Sequence, residues 1–150
     1  MNTDKDNKDN KDNKDILLRS LFDGNGDSEN YELNRISEII IGCAFKVGNT
    51  LGCGFLEKVY ENALALELRR AGLAAVQQEK IAVFYEGVIV GEYEPDLVID
   101  GQIIIELKAV RELNQVHRAQ CFNYLRATRL KLCLLINFGN PRVEIKRIIL

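Results

Sequence analysis

The sequence has no apolar run that approaches the roughly 18 residues needed for a membrane-spanning helix. Its N-terminus, MNTDKDNKDN, also has no apolar segment behind a basic start, so no export signal is predicted. Four cysteines are present, but they form no CxxC pair and lie among apolar neighbours, which favours reduced core thiols over a disulfide or zinc framework. These absences predict a cytoplasmic protein with no membrane association.

The net charge of -2 argues against a strongly basic nucleic-acid coat protein, but the charge is unevenly distributed. From Lys108 to the C-terminus, nine Lys and Arg residues stand against two Glu residues, a balance of +7, so the rest of the chain carries -9. Such a segment can contact phosphate, or it can simply keep a polar face soluble. Charge alone slightly favours the second interpretation.

Length and composition predict one compact domain preceded by a tail. The chain has 150 residues, 47% of them hydrophobic, which suffices for one core. Residues 4–15 repeat Asp, Asn and Lys without an apolar residue and are predicted to be disordered. Residues 16–22 (ILLRSLF) fit a short helix, and 23–30 fit a flexible joint. We therefore assign residues 1–30 to a low-complexity tail and linker, and residues 31–150 to the folded domain.

Apolar periodicity predicts the elements of this domain. Helical spacing predicts a first helix that is stopped by Gly48, a second from about 55 to 71, and a third over 113–128. Alternating apolar runs predict hairpins around Glu86-Gly87 and Asp100-Gly101, then strands at 132–138 and 143–150. The order predicts a mixed α/β (α+β) domain with one central sheet flanked by helices, whose C-terminal edge strand can pair two copies into a homodimer.

Three charged residues lie within the apolar stretch EPDLVIDGQIIIELKA: Asp96, Glu106 and Lys108. A buried charge costs several kcal/mol unless it is paired or bound to a metal. Two carboxylates and a lysine on neighbouring strands match the needs of Mg²⁺-dependent phosphodiester cleavage, because the carboxylates hold the cation and the lysine orients the attacking water. In the structural alternative, Glu106 and Lys108 form an ion pair and Asp96 merely begins a strand.

The register of the second hairpin decides between these interpretations. A two-residue Asp100-Gly101 loop would put Asp96 and Glu106 on opposite faces of the sheet. A three-residue loop of Ile99, Asp100 and Gly101, with Gly101 left-handed, would put them on one face. We predict the three-residue loop or an equivalent bulge.

The pattern Pro95-Asp96 followed by Glu106-Leu107-Lys108 resembles the signature of the PD-(D/E)xK nuclease superfamily. Two further segments, Gly54-Phe-Leu-Glu57-Lys-Val-Tyr60 and the stretch from His117 to Leu125, resemble the GxxExxY protein family, as do the closing LLINFG and IKRII. The resemblance covers roughly residues 31–150 and implies a restriction-endonuclease-like core.

The resemblance also implies roles for individual residues. Asp96 and Glu106 would be Mg²⁺ ligands (Mn²⁺ being an alternative), with the Leu107 carbonyl as a third ligand, and Lys108 would act on the water. Glu57 would be an additional carboxylate beside the metal. Gln120 and Tyr124 resemble the QxxxY motif, whose residues support the site and contact the nucleic acid. Taken singly, Gly54, Tyr60, His117, Gln120 and Tyr124 are each also explained by a structural role.

The favoured function is therefore a metal-dependent nuclease that acts on DNA. Two alternatives stay open: a non-catalytic module of the same fold that binds nucleic acid or a protein, and an interaction protein unrelated to nucleic acid that uses an exposed strand edge.

Overall fold

The computed structural model describes residues 28–150. Residues 35–150 form one compact unit, which contains both β-sheets. The predicted disordered repeat, the short helix at 16–22 and most of the joint at 23–30 lie outside the described residues. Within the described part of the chain, no helix combines the length and the apolar character needed to cross a bilayer.

Helix α1 (Ser28–Leu51) continues past Gly48, contrary to the predicted end. Gly48 lies against the side chain of Val143, and a Cβ at this position would overlap Val143 Cγ2. The glycine therefore permits a close approach of the chain near the last strand and does not end the helix. On the inward face of α1, Ala44 is fully buried, whereas Cys43 is only half-buried.

The cysteine prediction is confirmed in part, since all four thiols are free. Cys121 and Cys133 are buried in the core, as predicted, but Cys53 is exposed and Cys43 is half-buried. Apolar neighbours in the sequence do not show which face of a helix or strand a residue occupies, which explains the difference for Cys43. Cys53 is exposed because it lies in a loop.

The main sheet has five strands, which lie side by side in the order β1 (Ala75–Gln77), β4 (Leu97–Ile99), β5 (Ile103–Lys108), β6 (Leu132–Asn137) and β7 (Glu144–Ile149). Helices flank this sheet. Strands β5 and β6 are parallel, and the other neighbours are antiparallel. This agrees with the predicted mixed α/β fold and with a restriction-endonuclease-like architecture. The helices that follow α1 are α2 (Glu57–Arg70) and α3 (Gln115–Thr128).

Helix α3 covers one face of the central strands. Its buried residues share one apolar cluster with side chains of β5, β6 and β7; the cluster comprises Ile104, Cys121, Tyr124, Leu125, Cys133, Leu135 and Ile148. Glu106 and Lys108 lie two and four residues beyond Ile104 on β5, so they share its face and point toward α3. The packing of α3 thus places a helix directly over the charged pair.

The remaining strands, β2 (Ile81–Tyr85) and β3 (Val88–Tyr93), form a separate two-stranded sheet. The hairpin around Glu86-Gly87 is confirmed, but its predicted membership of one central sheet is wrong. Strand periodicity records which faces are apolar and does not identify the partner strand. Five large apolar side chains of this hairpin are more than 60% exposed: Phe84, Tyr85, Val88, Ile89 and Val90.

The hairpin that carries the charged residues has a loop one position later than predicted. Ile99 pairs with Ile103, so the loop comprises Asp100, Gly101 and Gln102, with positive φ at Asp100 (50°) and Gly101 (64°). Asp100 is fixed by a pair of hydrogen bonds with Ala74: its N–H donates to the Ala74 carbonyl (2.9 Å), and its carboxylate accepts from the Ala74 N–H (2.7 Å). These bonds hold Asp100 at the loop and set the register.

The face prediction is nevertheless confirmed. Paired positions on β4 and β5 sum to 202, as in Leu97 with Ile105. Continued by one residue, this register puts Asp96 opposite Glu106, and directly opposed residues share a face. Compared with the predicted loop, the observed loop shifts the pairing of the two strands by two positions. Because side chains alternate between the faces with a period of two, Asp96 stays on the face that carries Glu106 and Lys108.

The end of β6 is joined to the chain that follows β5 by Asn137, which is fully buried. The side-chain Nδ2 of Asn137 donates to the Val110 carbonyl (2.8 Å), and its side-chain Oδ1 accepts from the main-chain N–H groups of Val110 (3.0 Å) and Gly139 (3.0 Å). Gly139 lies so close to the Val110 backbone that a Cβ would overlap it. These contacts fix the exit of the strand that carries Glu106 and Lys108.

Asn137→Ala is expected to lower the free energy of unfolding by about 2–4 kcal/mol, because it leaves three partly buried main-chain groups without their partner. Chemical denaturation measures this change. Asn140→Ala is the matched control, since Asn140 makes one exposed bond to the Arg111 carbonyl. Equal losses in the two variants would contradict the role of Asn137.

Candidate functional site

Asp96 lies just before β4 and is bound through both carboxylate oxygens. Its Oδ2 accepts a hydrogen bond from the Leu107 N–H (2.7 Å), and its Oδ1 accepts one from Gln78 Nε2 (3.3 Å). Because the N–H and C=O of one strand residue point to the same side, the Leu107 carbonyl also faces Asp96. Burial raises the pKa of Asp96 most, and the charges of Glu61 and Glu57 raise it further, against the effect of the Leu107 hydrogen bond.

Glu106 is a buried carboxylate with an incomplete set of partners. Its side chain is 5% exposed; Oε1 lies 3.5 Å from Lys108 Nζ, and Oε2 is buried without a hydrogen-bond partner. Burial, and then the charge of Asp96, raise the pKa of Glu106 to about 8, while Lys108 acts in the opposite direction. The Lys108 ammonium at 3.5 Å and a hydrogen bond from the Asp96 backbone both lower the pKa of Glu106, but they do not offset the effect of burial.

This arrangement fits a hard divalent cation. Carboxylate and main-chain carbonyl oxygens are the ligands that Mg²⁺ and Mn²⁺ prefer. The unpartnered Glu106 Oε2 beside the Asp96 carboxylate is a buried oxygen that such an ion would satisfy. Among residues 28–150, no group of three or more His, Cys, Asp or Glu side chains is arranged to hold a metal ion. The fit therefore rests on the pair Asp96 and Glu106.

Lys108 begins a chain of hydrogen bonds that reaches α3. Its ammonium donates to Gln120 Oε1 (3.2 Å), and Gln120 Nε2 donates to the Tyr124 hydroxyl (2.8 Å). Burial raises the pKa of Tyr124, as do the charges of Glu106 and Asp96, so the phenol stays protonated. The structure thus brings Asp96, Glu106, Lys108, Gln120 and Tyr124 together; their catalytic roles stay predictions.

Glu57 is the first residue of α2 and is exposed. Its charge raises the pKa of Asp96, but its carboxylate does not join Asp96 and Glu106 in a three-carboxylate cluster. Its role beside a metal stays a prediction. Glu61, one turn later, was not predicted as a site residue; it is 3% exposed and raises the pKa of Asp96 more strongly than Glu57 does. The i, i+4 spacing of the two glutamates was the available signal.

Glu61 has a full set of donors. Its Oε2 accepts from Lys58 Nζ (2.6 Å) and Gln77 Nε2 (2.6 Å), and its Oε1 accepts from Gln78 Nε2 (2.6 Å). Both glutamines were also missed, because they lie in and after a strand too short to show a period. Glu61 therefore ties helix α2 to the end of β1, next to Asp96.

Tyr60 and Gly54 have structural roles. The Tyr60 hydroxyl donates to the Gly52 carbonyl (2.6 Å) and accepts from the Phe55 N–H (3.2 Å), and its ring stacks on Phe138 with the centroids 4.7 Å apart. Gly54 has φ of 113°, a conformation that favours glycine. The pair shapes the loop that leads to Glu57.

His117 caps the helix that carries Gln120. Asn114 Oδ1 accepts from the His117 N–H (3.1 Å), and His117 Nδ1 accepts from the Asn114 N–H (3.2 Å). This reciprocal pair is a capping box, so the structural interpretation of His117 is confirmed.

The family model of the PD-(D/E)XK nuclease superfamily matches residues 34–148, a range that contains every predicted site residue. Comparisons with curated proteins and with solved structures return no match. The finer resemblance to the GxxExxY family is not confirmed. Because the match spans well over half of the chain, the chain belongs to the PD-(D/E)XK nuclease superfamily.

Proposed function

We propose that the domain is a Mg²⁺-dependent nuclease that hydrolyses phosphodiester bonds of DNA. Members of the superfamily are usually nucleases that use divalent metals, which implies a nucleic-acid substrate. The observation that carries the proposal is the unpartnered Glu106 Oε2, buried beside the Asp96 carboxylate with Lys108 on the same face.

Asp96 and Glu106 would hold the cation, with the Leu107 carbonyl as a further ligand and Glu57 as an additional carboxylate near Asp96. When bound, Mg²⁺ or Mn²⁺ supplies Lewis-acid activation of the phosphate and of the attacking water. The protein supplies an oriented Asp96 carboxylate, since the Leu107 N–H and the Gln78 amide each hold one of its oxygens.

Lys108 would orient the attacking water or stabilise the charge that develops on the phosphate. An ammonium has three donors, and Glu106 and Gln120 take two of them. One N–H therefore stays available to a water or a phosphate oxygen. Tyr124 holds the Gln120 amide, whose oxygen then faces Lys108, so the helix fixes the direction of the ammonium.

The basic C-terminal part would bind the nucleic-acid backbone. Arg111 and Arg118 are exposed and lie in sequence between Lys108 and Gln120. A single small domain has little surface with which to read base sequence, which favours structure-selective or end-directed cleavage. The β7 edge of the sheet would pair two copies if the protein is a homodimer.

A second candidate function is a non-catalytic module that binds a protein or nucleic acid. The exposed apolar side chains of the β2–β3 hairpin favour it, because contiguous apolar surface often marks an interaction site. The buried carboxylate pair counts against it, since a binding module gains nothing from two carboxylates in an apolar sheet.

Cleavage of fluorescent DNA tests the proposal. Linear duplexes, flapped and nicked duplexes and single strands are expected to include at least one substrate that is cut with Mg²⁺ or Mn²⁺ and not with EDTA. Cleavage at subsaturating enzyme should fall steeply with salt, because binding releases counterions. DNA binding that EDTA does not change, with no cleavage of any substrate, would favour the binding module.

A further inference from the structure

Gln78 connects two carboxylates through one amide group. Its Nε2 donates to Glu61 Oε1 (2.6 Å) and to Asp96 Oδ1 (3.3 Å). An amide nitrogen has two hydrogens, so both are used. The opposite orientation of the amide would direct its oxygen at two carboxylates, which fixes the assignment of nitrogen and oxygen.

The backbone of Gln78 is held in an unfavourable conformation. Its φ is 53°, in the left-handed region that glycine or asparagine would occupy at lower cost. Its N–H donates to the Asp96 carbonyl (3.0 Å), so main chain and side chain both bind Asp96. Strain of this kind persists where surrounding contacts demand it, often at functional sites. At Gln78 these contacts are the two hydrogen bonds to Asp96, one from the main chain and one from the side chain.

These contacts of Gln78 help to fix the orientation of the Asp96 carboxylate. Gln78 holds Oδ1 and the Leu107 N–H holds Oδ2, so neither oxygen can rotate without breaking a bond. Glu61 anchors the Gln78 amide from the buried face of α2. Helix α2 is thereby linked through two side chains to a predicted metal ligand.

We infer that Gln78 is a positioning residue that sets the orientation of the Asp96 carboxylate for metal binding, with Glu61 as its anchor. This inference rests on the proposed function. Groups that orient metal ligands commonly affect affinity by about 10–100-fold when they are removed. Gln78→Met keeps the volume and the main-chain bond to Asp96, and it removes both amide hydrogens.

Gln77→Met is the matched control. Gln77 Nε2 donates to Glu61 Oε2 (2.6 Å) and to Asn62 Oδ1 (2.8 Å), but it makes no hydrogen bond to Asp96. Both variants remove one amide from Glu61, so similar decreases in melting temperature are expected. Only Gln78→Met should weaken metal binding.

Calorimetric titration with Mn²⁺, together with thermal melts, provides the test. The expected result is an affinity at least roughly 10-fold weaker for Gln78→Met and within about 3-fold of wild type for Gln77→Met. Unchanged affinity in Gln78→Met, or equal losses in both variants, would overturn the positioning role and leave the proposed function standing. A wild-type protein that binds no Mn²⁺ would overturn both.

Discussion

Glu106→Gln is expected to abolish metal binding and cleavage and, at the same time, to stabilise the metal-free protein. Glutamine preserves the size of the side chain and removes the negative charge that a cation requires. The Glu106 side chain is 5% exposed and one of its oxygens has no hydrogen-bond partner, so its negative charge destabilises the folded protein when no metal is bound. A gain of about 1–3 kcal/mol in the free energy of unfolding is expected near pH 8.

The pH dependence of stability follows from the pKa of Glu106, which is raised from 4.5 to about 8. Between these values the unfolded chain has lost the proton and the folded protein keeps it, so stability falls as pH rises. The contribution of the protonated carboxyl is complete below pH 4.5 and is lost as pH passes through about 8. The raised pKa of Asp96 acts in the same direction.

Denaturation of wild type and Glu106→Gln across this pH range measures the effect. The free energy of unfolding should depend less steeply on pH in the variant. Saturating Mn²⁺ should raise the free energy of unfolding of wild type and leave that of the variant unchanged. Glu38→Gln is the control, because Glu38 is exposed on α1. A variant less stable than wild type near pH 8 would show that the Glu106 charge is compensated without a metal.

Lys108→Met is expected to separate metal binding from cleavage. The ammonium lies 3.5 Å from Glu106 Oε1, so its removal takes a positive charge away from the carboxylate pair. Metal affinity should therefore be unchanged or higher. Cleavage should fall by roughly 100-fold or more, because the donor that we propose for the water or the phosphate is lost.

Single-turnover cleavage at saturating Mn²⁺ measures the catalytic loss without contributions from product release. Lys146→Met is the control, since Lys146 belongs to the same basic segment and is exposed on β7. A loss in the control as large as that in Lys108→Met would assign the effect to general attraction of DNA. Cleavage by Lys108→Met within a few-fold of wild type would contradict the role of Lys108 in the reaction.

Local sequence patterns predicted the elements that position the site. Apolar spacing located the three helices of residues 28–150, and the alternation of β5 placed Glu106 and Lys108 on one face. The predicted three-residue loop placed Asp96 on the same face as these two residues. The observed loop also has three residues, although it lies one position later in the sequence than predicted. These features depend on residues close in sequence, whose geometry is fixed by the backbone period.

Features that depend on distant segments were not predicted. Gly48 lies inside its helix and is explained by its close contact with Val143, and the β2–β3 hairpin forms its own sheet. Glu61 and Gln78 join the site through β1, a three-residue strand without a readable alternation. Their hydrogen bonds beside Asp96 depend on the contact of α2 and β1 with the start of β4, which only the fold determines.

Calorimetric titration of wild type with Mn²⁺ near neutral pH, in two buffers of different ionisation enthalpy, tests the central claim most directly. The metal must bind ionised Glu106, whose pKa of about 8 keeps it largely protonated at this pH. The account predicts saturable binding with release of a proton to the buffer, and the loss of both in Glu106→Gln. Wild type that binds no Mn²⁺, or that binds it equally well after Glu106→Gln, would contradict a metal site at Asp96 and Glu106.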